Sequence, residues 1–356
     1  MSKSVMTDVK SIIVDLTWMD VLKGAAIITV LLGNWTRCYK VHFAGWGPWV
    51  QVFFILSGFG LTLSYFSKKS NWSWRRWAWR RITRIVIPYV IAVILSFILG
   101  ILGSYLYSSV DMKFSWTSLL AYLTFTRNFY PASWDWNVPL WFMSVIIGLY
   151  ISFPVLIKIL ERWGPWVLLL ISAFVTCGTI TVAVLIRGPM SHQADLFSFW
   201  MVQFSLGMVL AYVRDSHPQK LRNLIGLEAF FLGVGLFAFS WGLRTYLPFG
   251  KLYNDVFTSI GVFLILLNIC WMSRSQVPAT GEVLSTLASK SYLMYLLHSP
   301  IMYFLIEPFF KLPRNSVIVT AFGSIYIVAL FFLCYFISQP VDKFTSWLYR
   351  KYSAAE

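Results

Sequence analysis

The sequence predicts an all-α integral membrane protein, and three observations support this fold class. Of the 356 residues, 58% are hydrophobic and only 12% are charged, with a mean hydropathy of +0.69. A soluble protein of this length needs a charged surface that this composition does not supply. Apolar stretches of about twenty residues, the length of a bilayer-crossing helix, recur along the chain. The 18 Trp and 18 Tyr residues fit the same class, because both residue types favour the membrane interface.

Ten apolar stretches are predicted to cross the membrane. They lie at about 18–36, 47–66, 82–105, 138–160, 166–186, 196–213, 223–243, 254–272, 290–308 and 317–338. An even number of crossings puts both termini on one side, and the excess of Lys and Arg in the loops on that side predicts that it is cytoplasmic. No linker or change of composition divides the chain. We therefore expect one membrane domain over 1–356, with tails at 1–16 and 340–356.

The strongest charge signal is the segment 67–84, which is predicted to be a basic cytoplasmic loop. It contains no acidic residue, and its basic residues are Lys68, Lys69, Arg75, Arg76, Arg80, Arg81 and Arg84. Clustering of this kind explains the net charge of +15 by membrane topology and argues against nucleic acid as a partner. Helical spacing puts Arg75, Arg76 and Arg80 on one side. This pattern is typical of a helix lying on anionic membrane lipids, or of a site that holds the phosphates of a cytosolic ligand.

The first apolar stretch carries three polar residues, Asp20, Lys23 and Asn34. Lys23 and Asn34 share one face of a helix and are about 16 Å apart along its axis. Asp20 lies one turn before Lys23 on the same side. Ionisable residues in a hydrophobic span are costly, which favours a functional site. The alternative is that Asp20 and Lys23 pair at the membrane surface while Asn34 caps the far end of the helix.

Small and polar residues elsewhere give weaker signals. Gly58 and Gly60 in the second span allow the backbone of another helix to approach closely. The apolar stretch 118–125 is short for a crossing and is predicted to be re-entrant or interfacial. It leads to Arg127 and Asp135, which form either a pair within a site or a salt bridge in a loop. The four Cys residues lack metal-ligand spacing, so no metal site is predicted.

Four segments, taken in order, resemble acyltransferase family 3, the integral membrane acyltransferases that modify cell-surface glycans and lipids. They are MDVLKGAAIITVLLGN at 19–34, QVFFILSGFGLTLSYF followed by RRWAWRRITRIVIPY at 51–66 and 75–89, VPLWFMSVIIGLYISFPVL at 138–156, and SYLMYLLHSPI at 291–301. They are similar to the family's opening LDGLRGIAALLVVLFH pattern, its FFxLSGF…KRxxRxxPxY signature, its LWFLxxLxxxYLxxPxL span and its late SYxxYLxHxPx segment. Each pattern is weak alone, but the four together cover most of the chain.

The resemblance places the family's catalytic pair on the first span, where this sequence departs from the pattern twice. Family members carry an Arg followed eleven positions later by a catalytic His, and these positions hold Lys23 and Asn34. A His can act as general base on an acceptor hydroxyl, whereas an Asn amide can only form hydrogen bonds. Three explanations stay open: the base lies elsewhere, the fold is kept for binding or translocation, or Asn34 is a deliberate near-isosteric replacement that traps substrate.

The later segments of the resemblance contain three further candidates. Trp141 and Tyr150, in the third segment, are expected to pack in the core or to line a tunnel for substrate. His298, in the fourth, is either a core histidine hydrogen-bonded to a neighbouring helix or a replacement base that faces Asn34. The second interpretation requires the first span and the span of His298 to meet.

The resemblance implies an acyl-CoA-dependent O-acyltransferase, multi-pass in a plasma membrane of the bacterial inner-membrane type. The expected reaction moves an acetyl or succinyl group from cytosolic acyl-CoA to a hydroxyl of a cell-surface polysaccharide or lipid-linked glycan. Asp20 and Lys23 would position the thioester, and Asn34 would mark the reaction centre. The residues expected to contact the donor phosphates are Arg75, Arg76, Arg80, Arg81 and Arg84. The alternative is a non-catalytic membrane translocator or binding protein for a glycan or polyprenyl-linked sugar.

Overall fold

The chain is all-α wherever the structure describes it. The computed structural model describes residues 17–40, 47–106, 115–129, 137–187, 196–246, 250–276, 278–306 and 316–353. Within these ranges lie eleven α-helices, several short 3-10 helices and two π-helical turns, without a strand. The α-helices are α1 (Thr17–Cys38), α2 (Gln51–Phe66), α3 (Trp74–Arg81), α4 (Ile87–Leu106), α5 (Trp116–Leu123), α6 (Trp141–Arg187), α7 (Met201–Ser216), α8 (Leu227–Tyr246), α9 (Gly250–Gln276), α10 (Pro278–Ile301) and α11 (Ser316–Ser353).

Six helical segments in the described ranges are long and apolar enough to cross a membrane. They are Trp74–Leu106, Trp141–Ile186, Phe197–Ser216, Leu227–Tyr246, Tyr253–Met272 and Val317–Lys351. Helix α6 has 47 residues, but its backbone leaves the helical region at Gly164, where φ is 84°, so the two predicted spans 138–160 and 166–186 are its two arms. The fold class of a helical membrane protein is thus confirmed. The ten crossings and the cytoplasmic termini stay predictions.

The basic segment 67–84 is mostly helical. Helix α3 begins after Ser73, whose hydroxyl accepts a hydrogen bond from the Arg76 backbone N–H at 3.3 Å and so satisfies one open donor of the first turn. A π-helical turn over Ile82–Val86 then joins α3 to α4. The seven basic side chains therefore lie on or just before a helix that continues into an apolar span.

Two other predicted segments also prove to be helical. The short stretch at 118–125 overlaps α5 (Trp116–Leu123), an eight-residue helix with a reciprocal capping box between Ser115 and Ser118. Helix α11 continues from Ser316 to Ser353, so it includes most of the predicted tail at 340–356. The predicted N-terminal tail at 1–16 lies outside the described residues.

The chain divides into two compact units that alternate along the sequence. The first comprises Met1–Ile27, Gly47–Ser67 and Ser144–Ser289, and the second comprises Ile28–Trp46, Lys68–Met143 and Lys290–Glu356. The boundary after Ile27 falls inside α1, which places the start of this helix in the first unit and its end in the second.

Helices α2 and α7 of the first unit pack backbone to backbone. A Cβ atom added at Gly58 would lie 2.0 Å from the Phe204 carbonyl oxygen, and one added at Gly207 would lie 1.9 Å from the Ile55 carbonyl oxygen. The close approach predicted at Gly58 is confirmed. Such contacts are typical of helix pairs in membranes, where small residues let two backbones meet.

A buried polar contact joins α2 to α9 in the same unit. The Gln51 side-chain amide donates to the Asp255 carboxylate at 2.8 Å and accepts from the Ser259 hydroxyl at 2.6 Å. Buried polar groups need partners of this kind, because an unpaired one costs free energy in an apolar interior. The contact therefore fixes the start of α2 against α9.

Candidate functional site

Asp20 and Lys23 form an ion pair at the start of α1. The Lys23 Nζ atom donates to the Asp20 Oδ1 atom at 2.9 Å, one helical turn away. The Lys23 side chain is 33% exposed and the Asp20 side chain is 50% exposed, so the pair is in contact with solvent rather than sealed in the core. Exposed pairs contribute only about 0–1 kcal/mol. Little free energy is therefore needed to redirect Lys23 to another anion.

A polar cavity of about 490 Å³ lies beside this ion pair within the first unit. Its lining comes from the start of α1, the end of α2 and the end of α7, and the residues are Met19, Asp20, Lys23, Gly60, Leu63, Ser64, Phe66, Ser67, Arg214 and Asp215. The volume lies in the range of small-molecule sites. Two cations, two carboxylates and two hydroxyl groups line one space, and a ligand with both charged and hydrogen-bonding groups would suit it.

Four of the six polar residues of this lining are not among the site residues predicted from the sequence: Ser64, Ser67, Arg214 and Asp215. The one local signal was an adjacent Arg and Asp at the end of an apolar helix. Their meeting with Lys23 depends on the packing of α2 against α7, which no pattern within a single helix reveals.

Asn34 lies in the second unit, on the later part of α1. Its side-chain amide donates to the Val30 carbonyl at 3.0 Å, four residues earlier in the same helix. Helix α1 continues to Cys38, so the proposed role of Asn34 as the cap of this helix is wrong. The amide nitrogen is engaged with the backbone, and the side-chain oxygen is the atom left to accept a hydrogen bond.

The neighbouring Trp35 packs against α11 in the same unit. Its indole N–H donates to the Val319 carbonyl at 2.7 Å, and its ring stacks on Tyr326 with centroids 4.8 Å apart. A Cβ atom added at Gly323 would lie 2.7 Å from the Trp35 ring, so the indole rests on bare helix backbone. These contacts hold the end of α1 firmly against α11.

His298 is completely buried in α10, and its ring is bonded within its own helix. The Nδ1 atom lies 2.6 Å from the Tyr295 carbonyl oxygen. The neighbouring helix reaches His298 through the backbone instead, because the Tyr326 hydroxyl donates to the His298 carbonyl at 2.6 Å. The expected hydrogen bond from the ring to a neighbouring helix is therefore replaced by a bond to its own helix.

The arginines of the basic segment point mainly to solvent. Arg75, Arg76, Arg80 and Arg84 are exposed, while Arg81 is half-buried. The Arg80 guanidinium also lies 5.9 Å from the centre of the Tyr349 ring on α11, close enough for a cation–π contact. The tryptophans of the segment contact one another, with the Trp72 and Trp74 rings 5.5 Å apart. This arrangement suits both a lipid surface and a phosphate ligand.

Arg127 and Tyr150 occupy buried positions, whereas Trp141 is half-buried. Arg127 is 9% exposed and donates to the Asn128 side-chain oxygen at 3.1 Å, and the Asn128 amide in turn donates to the Trp141 carbonyl at 3.1 Å. Tyr150 is buried, with its ring 6.4 Å from that of Phe204. Neither Trp141 nor Tyr150 lines the polar cavity.

Neither the predicted partner of Arg127 nor the prediction of no metal site is tested by the structure. Asp135, the proposed partner of Arg127, lies outside the described residues. For the metal prediction, no group of three or more His, Cys, Asp or Glu residues that could hold a metal ion occurs among the described residues.

The long apolar helices and the charged cavity at the ends of three helices identify the class of protein: a helical membrane protein with a polar site. The model of the acyltransferase 3 family, described as an acyltransferase domain, matches residues 16–338. Because the match covers most of the chain, the protein belongs to the acyltransferase 3 family and is a membrane acyltransferase. No curated protein and no solved structure matches the chain. The resemblance inferred from the four segments is confirmed.

Proposed function

We propose that the protein transfers an acyl group, acetyl or succinyl, from cytosolic acyl-CoA to a hydroxyl of a cell-surface polysaccharide or lipid-linked glycan. The observation that supports this best is the polar cavity beside the Asp20–Lys23 pair, in a chain of the acyltransferase 3 family. The membrane would be a plasma membrane of the bacterial inner-membrane type, with the donor entering from the cytoplasmic side.

The cavity supplies the groups that an acyl thioester and its pantetheine arm require. Lys23 and Arg214 offer positive charge to a thioester oxygen or a phosphate, and Ser64 and Ser67 offer hydroxyls to amide groups of the arm. Asp20 holds Lys23 in place at 2.9 Å until a ligand engages it. Because the ion pair is partly exposed, Lys23 can exchange Asp20 for a ligand with little loss of free energy.

The exposed arginines of α3 support a role in binding the donor phosphates. Guanidinium groups bind phosphate oxygens in pairs, and four of the five arginines face solvent. A helix that also lies on anionic lipids is compatible with this role, because the two ligands share the same chemistry.

Asn34 limits what the first helix can do in the reaction. Its side-chain oxygen can accept a hydrogen bond from an acceptor hydroxyl, but an amide takes no proton at neutral pH. With its nitrogen bonded to Val30, Asn34 orients a substrate hydroxyl rather than deprotonating it.

The test is transfer of radiolabel from [14C]acetyl-CoA and [14C]succinyl-CoA into the glycan and lipid fractions of membranes that contain the full chain. The protein is compared with its Asn34→His variant. Label transfer by either protein, above membranes without it, supports acyl transfer. Absence of transfer by both, together with no CoA binding, contradicts the proposal and favours the translocator or binding protein.

A further inference from the structure

An apolar cavity lies beside the polar cavity within the first unit. Its volume is about 50 Å³, and none of its lining residues is charged or carries a hydroxyl or an amide group. A space of this size holds about four water-sized groups at roughly 10–15 Å³ each. Apolar cavities stay empty of water and bind apolar groups instead. The cavity is therefore matched in size and chemistry to a short hydrocarbon chain.

Adjacent residues of the same helices line the two cavities. In α1, Leu22 lines the apolar cavity, and Lys23, the next residue, lines the polar one. In α2, the neighbours Phe59 and Gly60 are divided between the two cavities in the same way. Helix α7 contributes Leu210 to the apolar lining and later residues to the polar lining. The two spaces are therefore separated by about one layer of side chains.

Met19 lies at the boundary between the two cavities. Its side chain lines the polar cavity, and it also belongs to the buried apolar cluster that contains Leu22, Phe59 and Cys270 of the apolar lining. Its terminal methyl group lies 3.4 Å from the position that a Cβ atom at Gly60 would take. Methionine is unbranched and has several rotatable bonds, so it adapts to irregular spaces. Rotation of this one side chain is enough to connect the cavities.

We propose that the apolar cavity receives the acyl group of the donor, and that the protein therefore selects uncharged acyl chains of up to about four carbons. The inference rests on the acyl-CoA-dependent function above and narrows its acyl group to the uncharged class, to which acetyl belongs. With the thioester oxygen at Lys23, the acyl carbons pass Met19 and enter the apolar cavity. The terminal carboxylate of a succinyl group would lose its water there without gaining a partner, which is costly in an apolar space.

Butyryl-CoA and succinyl-CoA are the probes that separate chain length from charge. Their acyl groups have the same number of carbons, and one ends in a methyl group where the other ends in a carboxylate. The measurement is equilibrium binding of each, beside acetyl-CoA, to the full chain in detergent. We expect butyryl-CoA to bind about tenfold more tightly than acetyl-CoA, because it buries further methylene groups. It should also bind at least about tenfold more tightly than succinyl-CoA.

Filling the apolar cavity should remove the preference for the longer chain. Cys270 is buried in the apolar lining, and a methionine in its place adds a methylene and a methyl group to the space. We expect Cys270→Met to reduce the advantage of butyryl-CoA over acetyl-CoA from about tenfold to about twofold or less, with the affinity for acetyl-CoA unchanged. Cys177→Met, at an exposed cysteine of the same unit outside both cavities, is the matched control and should keep the full advantage.

The outcomes separate this inference from the proposed function. Equal affinity for butyryl-CoA and succinyl-CoA, or an advantage of butyryl-CoA that Cys270→Met keeps or that both Met variants lose, overturns the inference and leaves the donor proposal standing. Equal affinity for acetyl-CoA and butyryl-CoA overturns it as well. A phospholipid that co-purifies with the unchanged protein but not with Cys270→Met would then assign the cavity to a lipid tail. If no CoA ester binds, both proposals fail.

Discussion

Replacing Gly58 by Ala tests whether the packing of α2 on α7 builds the polar cavity. The added Cβ would lie 2.0 Å from the Phe204 carbonyl oxygen, whereas real Cβ atoms essentially never come within 3.0 Å of a neighbouring atom. To bring this distance from 2.0 Å up to the 3.0 Å limit, the two helices must separate locally by about 1 Å. The obstruction is backbone, not the end of a flexible side chain. We therefore expect a loss of about 3 kcal/mol in the free energy of unfolding, the upper part of the overpacking range.

Gly60→Ala, two residues further along α2, is the matched control. Its Cβ would meet only the terminal Met19 methyl group at 3.4 Å, an ordinary contact. Both variants gain the same helix propensity, about 1 kcal/mol for Gly to Ala, so their difference isolates the clash. The free energy of unfolding of both variants is measured by SDS titration in mixed micelles. The affinity for CoA reports whether the cavity keeps its shape. Equal stability of the two variants would refute the backbone contact.

Three further perturbations test other contacts. Trp35→Ala should lower the free energy of unfolding by about 3–5 kcal/mol, because it empties a fully packed site and leaves a carbonyl unbonded; thermal unfolding in detergent checks this. Gln51→Leu should cost about 1–3 kcal/mol in the same assay, since it removes the amide donor to the Asp255 carboxylate; unchanged stability would contradict a stabilising role for this contact. Arg80→Glu should weaken CoA binding about tenfold at low salt and less at high salt, with Arg350→Glu as the control; equal losses in both would favour a general lipid-surface role.

Local signals in the sequence predicted those features that neighbouring residues of one segment determine. Asp20 and Lys23 pair because residues three apart face each other on a helix. Gly58 permits close approach because it has no side chain, and α7 meets it there. The four family-like segments predicted the family for the same reason, since each is a continuous run of residues.

Features that depend on several helices were predicted incompletely. Arg214 joins Lys23 in one cavity only because α2 and α7 bring their ends together, and the sequence gives no measure of that approach. The alternative in which Asn34 caps the end of α1 is wrong, because α1 continues for another turn to Cys38. One of the two roles predicted for His298 was a hydrogen bond to a neighbouring helix, but its Nδ1 atom lies 2.6 Å from the Tyr295 carbonyl oxygen of its own helix. In each case tertiary packing decided the outcome.

The most direct test of the account is equilibrium binding of acetyl-CoA to the full chain in detergent. Lys23→Gln and Arg214→Gln each remove one cation from the cavity, and each should weaken binding about tenfold, the equivalent of roughly 1.4 kcal/mol. Arg162→Gln, an exposed arginine of the same unit outside the cavity, should bind like the unchanged protein. Unchanged affinity in both cavity variants, or the same loss in all three, would contradict a donor site beside the Asp20–Lys23 pair.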